Sequence, residues 1–237
     1  MQLDFSKKIK KLEEIFSISI ENYELFAKAL THSSYTGEKN LSPLDSYQRL
    51  EFFGDAVLKL CVSEILFKNF SDYNEGDLTR IRTIIVSDNL LSEVAQKIGL
   101  DKLILFGKQG KKIGAQGKNV IAACVFEAVL GAYFLEGKLT EISNFLEKTF
   151  KSAIKEVDEN FEKFNAKAVL QEHLQSLEGK LPVYKIIDEV GPQHEKIYIV
   201  EVSYLEETLA SGEGKTKRAA EQESAYKACM KLGVIKQ

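Results

Sequence analysis

"DSYQRLEFFGDAVLKL", residues Asp45–Leu60, carries Glu51 and Asp55 four positions apart in a run that is otherwise largely apolar, with Gly54 between them. A spacing of four puts both carboxylates on one face of a helix, about one turn apart. The surrounding Leu50, Phe52, Phe53, Ala56, Val57 and Leu58 leave that helix little surface for water. Two acids are therefore directed into a crowded interior.

A second segment repeats the problem. "IAACVFEAVLGAYFL", Ile121–Leu135, is apolar on nearly every face and predicts a core helix, yet Glu127 stands in its middle. A buried carboxylate without a partner costs several kcal/mol or takes up a proton, so it calls for an ion pair, a hydrogen-bond network or a metal. Arg49 and Arg82 are the candidate ionic partners. Glu75, in "NEGDLTRIR", falls at a predicted helix start, where the helix dipole alone would favour an acid. Acids from separate helices meeting in one cleft would instead make a hard-oxygen site for magnesium, completed by waters and phosphate oxygens. Two such ions about 4 Å apart can activate water and stabilise the departing oxygen in phosphodiester hydrolysis.

The 237 residues allow two domains. A hydrophobic fraction of 44% and a formal net charge of -3 describe an ordinary globular chain and exclude one that binds nucleic acid through overall basicity. Cys61, Cys124 and Cys229 are odd in number and widely spaced, which argues against disulfides or zinc and for a reducing, cytoplasmic setting. The N-terminal "MQLDFSKKIKKLEE" lacks an apolar signal core, and Ile121–Leu135 is short for a bilayer, so no membrane association is expected.

Up to about Asn160 apolar residues recur every three or four positions and predict helix throughout. Asp45 with Gln48 resembles a capping pair, Gly99 can end a helix, and "GKQGKKIGAQGK" (Gly107–Lys118) predicts a mobile surface loop without phosphate-loop spacing. Beyond the polar "EVDENFEKFN" the order becomes a helix from Ala166, strands "VYKIIDEV", "KIYIVEVSYL" and "TLASGEG", and a closing helix over Lys215–Leu232. The expected organisation is a mainly α domain over 1–157, a linker over 158–164 and a small α+β domain (α-β-β-β-α) over 165–234. From Asn165 onward ten basic residues meet eleven acids, but Lys215, Lys217 and Arg218 gather at the start of the last helix, where free N–H groups also favour phosphate. A solvated helix start is the plainer reading of such a cluster.

"QRLEFFGDAVLKL" resembles the signature of the ribonuclease III family, and "ALTHSSY" (Ala29–Tyr35), "EGDLTRIR" (Glu75–Arg82) and "FEAVLGAYFL" (Phe126–Leu135) follow the family's order. The second part resembles a double-stranded RNA-binding domain through "LQEHLQ", "GPQH" and "GKTKRAAE". The resemblance implies a magnesium-dependent endoribonuclease, with Mn²⁺ able to substitute, that cuts double-stranded RNA of ribosomal and messenger precursors to 5′-phosphate and 3′-hydroxyl ends. It implies Glu51 and Glu127 as metal ligands, Asp55 and Glu127 at the catalytic centre, Glu75 lining the cleft, and Phe52 packed across the interface of a homodimer. In the RNA-binding domain it implies contacts from Gln171 and Glu172, from Pro192 and His194, and from Lys217 and Arg218, spanning about 16 base pairs by shape. His194 could equally be a turn residue with no ligand.

Two positions depart from the family pattern. Gln48 stands where an acid usually opens the signature, and Cys124 stands at an aspartate ligand position three residues before Glu127. A thiol is a poor partner for magnesium, which prefers hard oxygen. Cys124 is either a small core residue or a weak point of the metal site, and the alternative function that follows is a non-cleaving double-stranded RNA-binding protein.

Overall fold

A computed structural model describes residues 2–159, 166–192 and 196–235. The chain divides into two compact units, Met1–Lys155 and Glu156–Gln237. The expected linker, 158–164, is helical at its first two residues and lies outside the described residues from 160 on.

The first unit is helical. It runs α1 (Gln2–Phe16), α2 (Tyr23–Ala29), α3 (Ser33–Glu38), α4 (Gln48–Asn69), α5 (Glu75–Ile85), α6 (Asp88–Lys97), α7 (Ala115–Leu135) and α8 (Leu139–Glu159), with short 3-10 turns between some of them. Helix α7 is the centre. Its Ile121, Ala122, Val125, Phe126, Ala128, Val129, Leu130, Ala132 and Tyr133 are buried, and α2, α4 and α6 pack round it. Phe16 and Phe26 close one end against Tyr133, with ring centroids 5.3 and 4.5 Å away, and the Tyr133 hydroxyl donates to the Ile18 carbonyl at 3.3 Å. At about 25 cal/mol per Å² of apolar surface, burying side chains of this size contributes roughly 1.5–3 kcal/mol each.

Three local expectations are corrected. The capping pair does not form. Asp45 closes a 3-10 turn and pairs with Lys28 at 3.2 Å, while α4 starts at Gln48 after Tyr47, which makes no side-chain cap. The glycine-rich stretch is no free loop either. A Cβ on Gly107 would meet the Ser34 carbonyl at 2.2 Å, and the Lys108 amide donates to Glu38 at 2.6 Å, so this segment is stapled to α3. Its last residues already belong to α7, which begins at Ala115 and so reaches 21 residues. By length and composition alone α7 could cross a membrane, but most of its apolar span is buried inside the domain.

The second unit has α9 (Ala166–Glu178), β1 (Val183–Val190), β2 (Ile197–Tyr204), β3 (Glu207–Gly214) and α10 (Lys217–Lys231). The strands form one antiparallel sheet in the order β1-β2-β3. Val200, Val202 and Tyr204 alternate along β2 and are buried, with Val202 and Tyr204 in a core shared with Leu170 and Leu174 of α9 and Ala225, Ala228 and Cys229 of α10. Gly99, with φ +79°, sits just beyond α6 as a helix stop should.

Candidate functional site

Gly54 decides where the acids go. A Cβ built on it would lie 1.8 Å from the backbone carbonyl oxygen of Glu127, and one built on Gly131 would lie 2.7 Å from the Leu50 carbonyl oxygen. Helices α4 and α7 therefore cross with backbone against backbone, and Phe53 and Phe134 lock the crossing edge to face at 5.4 Å. Any side chain at either glycine would hold the helices apart. The residues flanking Gly54, namely Glu51 and Asp55, are thereby pressed against the stretch of α7 that carries Cys124 and Glu127.

The electrostatics follow from this convergence. Burial, followed by the charges of Asp55, Glu51 and Asp88, pushes the Glu127 carboxyl up to about 8, and Lys59 opposes them. The Cys124 thiol is pushed well above its usual range by burial, by a hydrogen bond to the Glu51 carboxylate and by the charges of Glu51, Glu127 and Asp88. Tyr47 is raised likewise by burial and by Cys124 and Glu51 beside it. Neither Arg49 nor Arg82 pairs with Glu127 among the described residues; Arg82 donates to Ser63 at 2.8 Å. Lys59 is the cation in the cluster, with its Nζ 2.7 Å from Asp55 Oδ2 one turn along α4.

Of the sequence-derived set, Glu51, Asp55, Cys124 and Glu127 come together. Glu75 stands at the start of α5, takes a hydrogen bond from Thr79 at 3.0 Å, and lines a neighbouring 370 Å³ groove with Ser63, Tyr73 and Arg82. It is not among the acids that act on Glu127. Phe52 points outward and is 81% exposed. Sequence reasoning missed Asp88 and Lys59. Lys59 continues the four-residue stripe of Glu51 and Asp55 and was readable from spacing, whereas Asp88 reaches the cluster only through the packing of α6 on α7, which Gln96 and Asn119 fasten at 2.7 Å.

Magnesium suits the chemistry of these donors, which are carboxylate oxygens carrying mutual repulsion that a cation would relieve. Glu51 and Glu127 are the residues that would hold it. Among the described residues no three acids, histidines or cysteines already enclose a coordination shell. Asp55 is engaged by Lys59, and Glu51 accepts from the Cys124 thiol.

In the second unit Lys217 and Arg218 are exposed at the first turn of α10, whose N-cap Thr216 accepts from the Ala219 amide. The Lys217 ammonium lies 5.7 Å from the centroid of the Tyr198 ring. Gln171 and Glu172 are exposed on α9, and Pro192 is exposed after β1. His194 lies outside the described residues.

An acid-lined helical domain followed by an α-β-β-β-α module with a basic helix start defines a nuclease with its own nucleic-acid-binding part. Residues 22–154 match the family described as Ribonuclease-III-like, and residues 166–232 match the double-stranded RNA binding motif. The chain is 38% identical over 224 residues to Ribonuclease 3 of Streptococcus mutans, covering 94% of this chain and 96% of that protein. It is 39% identical over 204 residues to Ribonuclease 3 of Syntrophomonas wolfei, covering 86% of each. The nuclease domain of ribonuclease III from Campylobacter jejuni superposes with a TM-score of 0.53 at 32% identity, over 60% of this chain and 99% of that one. The chain belongs to the ribonuclease III family and is a ribonuclease of that type.

Proposed function

We propose that this protein is a magnesium-dependent endoribonuclease that hydrolyses double-stranded RNA, acting in the cytoplasm as a homodimer on ribosomal and messenger RNA precursors. The observation that carries this reading is the crossing at Gly54 and Gly131, which brings Glu51, Asp55 and Glu127 together from two helices. Magnesium bound there would supply Lewis acidity toward a phosphate oxygen and would lower the pKa of a water enough for it to lose a proton to solvent and attack phosphorus near neutral pH. Glu51 and Glu127 would hold the ion, and Asp55 would orient the groups around it. Their backbone is pinned by the helix crossing, so the site is organised before substrate arrives.

The second domain supplies affinity. Lys217 and Arg218 neutralise phosphates at a helix N-terminus, while exposed Gln171 and Glu172 of α9 and the turn at Pro192 meet minor grooves on either side. Homodimer formation is supported by an exposed apolar stripe on α4, Phe52, Leu60 and Phe67, at 81, 54 and 74% exposure. A region involved in dimer formation is named for the Campylobacter jejuni nuclease domain, and the likeness to it supports the same arrangement here. Cys124 is the observation on the side of a non-cleaving binder, but three carboxylates of the set remain, and the Ribonuclease 3 relatives favour turnover.

The deciding test is cleavage of a long RNA duplex in Mg²⁺ by the wild type and by Glu127→Gln. Strand scission to 5′-phosphate ends that disappears in the variant, with duplex binding retained, supports the proposal. Equal cleavage by both proteins, or none by either, refutes it.

A further inference from the structure

The glycine- and lysine-rich stretch before α7 has no part in the acid site, yet its conformation is fixed. From Lys102 to Phe126 the chain carries five lysines and no acid, in a molecule whose formal net charge is -3. Gly110 is buried, and a Cβ there would meet Ser34 Oγ at 2.2 Å and Phe106 at 2.9 Å. The Gly107 amide donates to Ser34 Oγ at 3.1 Å, and the Lys111 amide donates to the Gly107 carbonyl at 3.0 Å. A solvated basic loop is the plain account of such a run, but it requires no seating against α3.

That seating closes a pocket of about 330 Å³, whose lining includes Phe5 and Lys8 of α1, Tyr35 of α3, and Ile104, Phe106 and Lys111. Its size falls among small-molecule sites. Its three aromatic rings are half-buried, and Ile104 is buried beside them. The Lys8 ammonium donates to the carbonyls of Leu103 at 3.0 Å and Lys102 at 3.3 Å, which holds its charge at the wall, while Lys111 is exposed. Phe106 is backed by the His32 ring at 5.2 Å, and His32 Nδ1 accepts from the Ser34 amide at 3.1 Å. Glu38, an acid that reaches this segment, is engaged by the Lys108 amide and by Lys39 at 3.6 Å.

Rings and ammonium groups together select the ligand. An apolar molecule would leave two positive charges without a counterpart, and a bare anion would leave three ring faces without one. A nucleotide meets both demands, because every base has a face to stack and every phosphate a charge for lysine. We propose that this pocket binds one nucleotide unit, with its base against Phe5, Tyr35 and Phe106 and its phosphate at Lys8 and Lys111. An unpaired nucleotide beside a duplex and a free mononucleotide offer the same chemistry. The pocket lies outside the acid cluster and does not depend on cleavage there. His32 also meets Tyr47 at 5.9 Å, so two ring contacts separate Phe106 from Tyr47, a distance that a few nucleotides of one strand cover at about 3.4 Å of rise each.

The test is a titration of the full-length protein in EDTA, which reads binding whether or not the acids cut RNA. One probe is 2-aminopurine riboside 5′-monophosphate. The other is an RNA duplex whose single-stranded 3′ extension carries one 2-aminopurine, and stacking on a ring quenches either. The expectation is saturable quenching by the wild type at millimolar mononucleotide or below. Affinity should fall about tenfold in Phe5→Ala, which loses a stacking face, and about tenfold in Lys111→Glu, which turns an attraction for phosphate into a repulsion. The nucleoside without phosphate should bind the wild type and Lys111→Glu alike. Quenching of the extension alone supports the pocket as a strand site, quenching of the mononucleotide alone supports it as a site for free nucleotide, and quenching of both supports either source. No saturable quenching of either probe, full affinity in Lys111→Glu, or equal affinity of the wild type for nucleoside and nucleotide would overturn the proposal. Lys111 is exposed, so Lys111→Glu should melt as the wild type does and reads the pocket even where Phe5→Ala loosens α1.

Discussion

Replacing Gly54 by alanine sets two effects of opposite sign against each other. Alanine is favoured over glycine within a helix by about 1 kcal/mol. Its Cβ, however, would lie 1.8 Å from the Glu127 carbonyl oxygen, where a relaxed carbon-to-oxygen contact needs about 3.3 Å. Helices α4 and α7 must separate by about 1.5 Å, and because backbone meets backbone no rotamer can absorb the change. Overpacking of this kind costs about 3 kcal/mol, at the upper end of its usual range, so the net loss is about 2 kcal/mol. For a domain of this size that lowers Tm by roughly 4–8 °C. The same separation moves Glu127 away from Glu51 and Asp55, and displacements of about 1 Å can lower turnover about 100-fold. Scanning calorimetry and single-turnover cleavage measure the two effects. Gly37→Ala in α3 is the control, since nothing lies within 4 Å of its Cβ position. A Gly54→Ala protein with wild-type melting and rate would show that the crossing does not position the acids.

Other outcomes follow from the same geometry. In metal-free protein the raised Glu127 carboxyl holds its proton in the folded state up to about pH 8, while the unfolded chain releases it near the ordinary value of 4.5. The folded state thus binds more protons in that window, and stability should fall as pH rises through it. Glu127→Gln should therefore raise Tm at pH 8 but not at pH 4.5, and equal shifts at both pH values would contradict the burial argument. Changing Lys217 and Arg218 together to alanine should weaken binding to every duplex sequence and flatten the salt dependence by about one to two units of log–log slope; an unchanged slope in filter-binding titrations removes them from the phosphate contacts. Phe52→Arg should convert dimer to monomer in light scattering at micromolar concentration, and an unchanged mass would refute its interface role.

Much of this was legible in the chain because the patterns were strong. Alternation along Val183–Val190 reproduces β1 at both ends, and Glu51, Asp55 and Glu127 stood out as acids in apolar company. What stayed hidden depended on packing between distant segments. The start of α7 at Ala115 was masked by the glycines before it, and Asp45 lost its capping role to an ion pair with Lys28 from another helix. Asp88 stands in the first turn of α6, with no apolar run around it to mark it, and only the seating of α6 on α7 brings its charge to Cys124 and Glu127.

The apolar character of α7 has a consequence for biosynthesis. As the ribosome delivers the chain, a stretch greasy enough to tempt a lipid bilayer emerges only after α2, α4 and α6, the helices that will sheathe it, have already left the exit tunnel. The order of the elements hands the stickiest helix to a waiting cradle, so a circular permutant that released α7 first would be expected to clump even if its finished fold were just as stable.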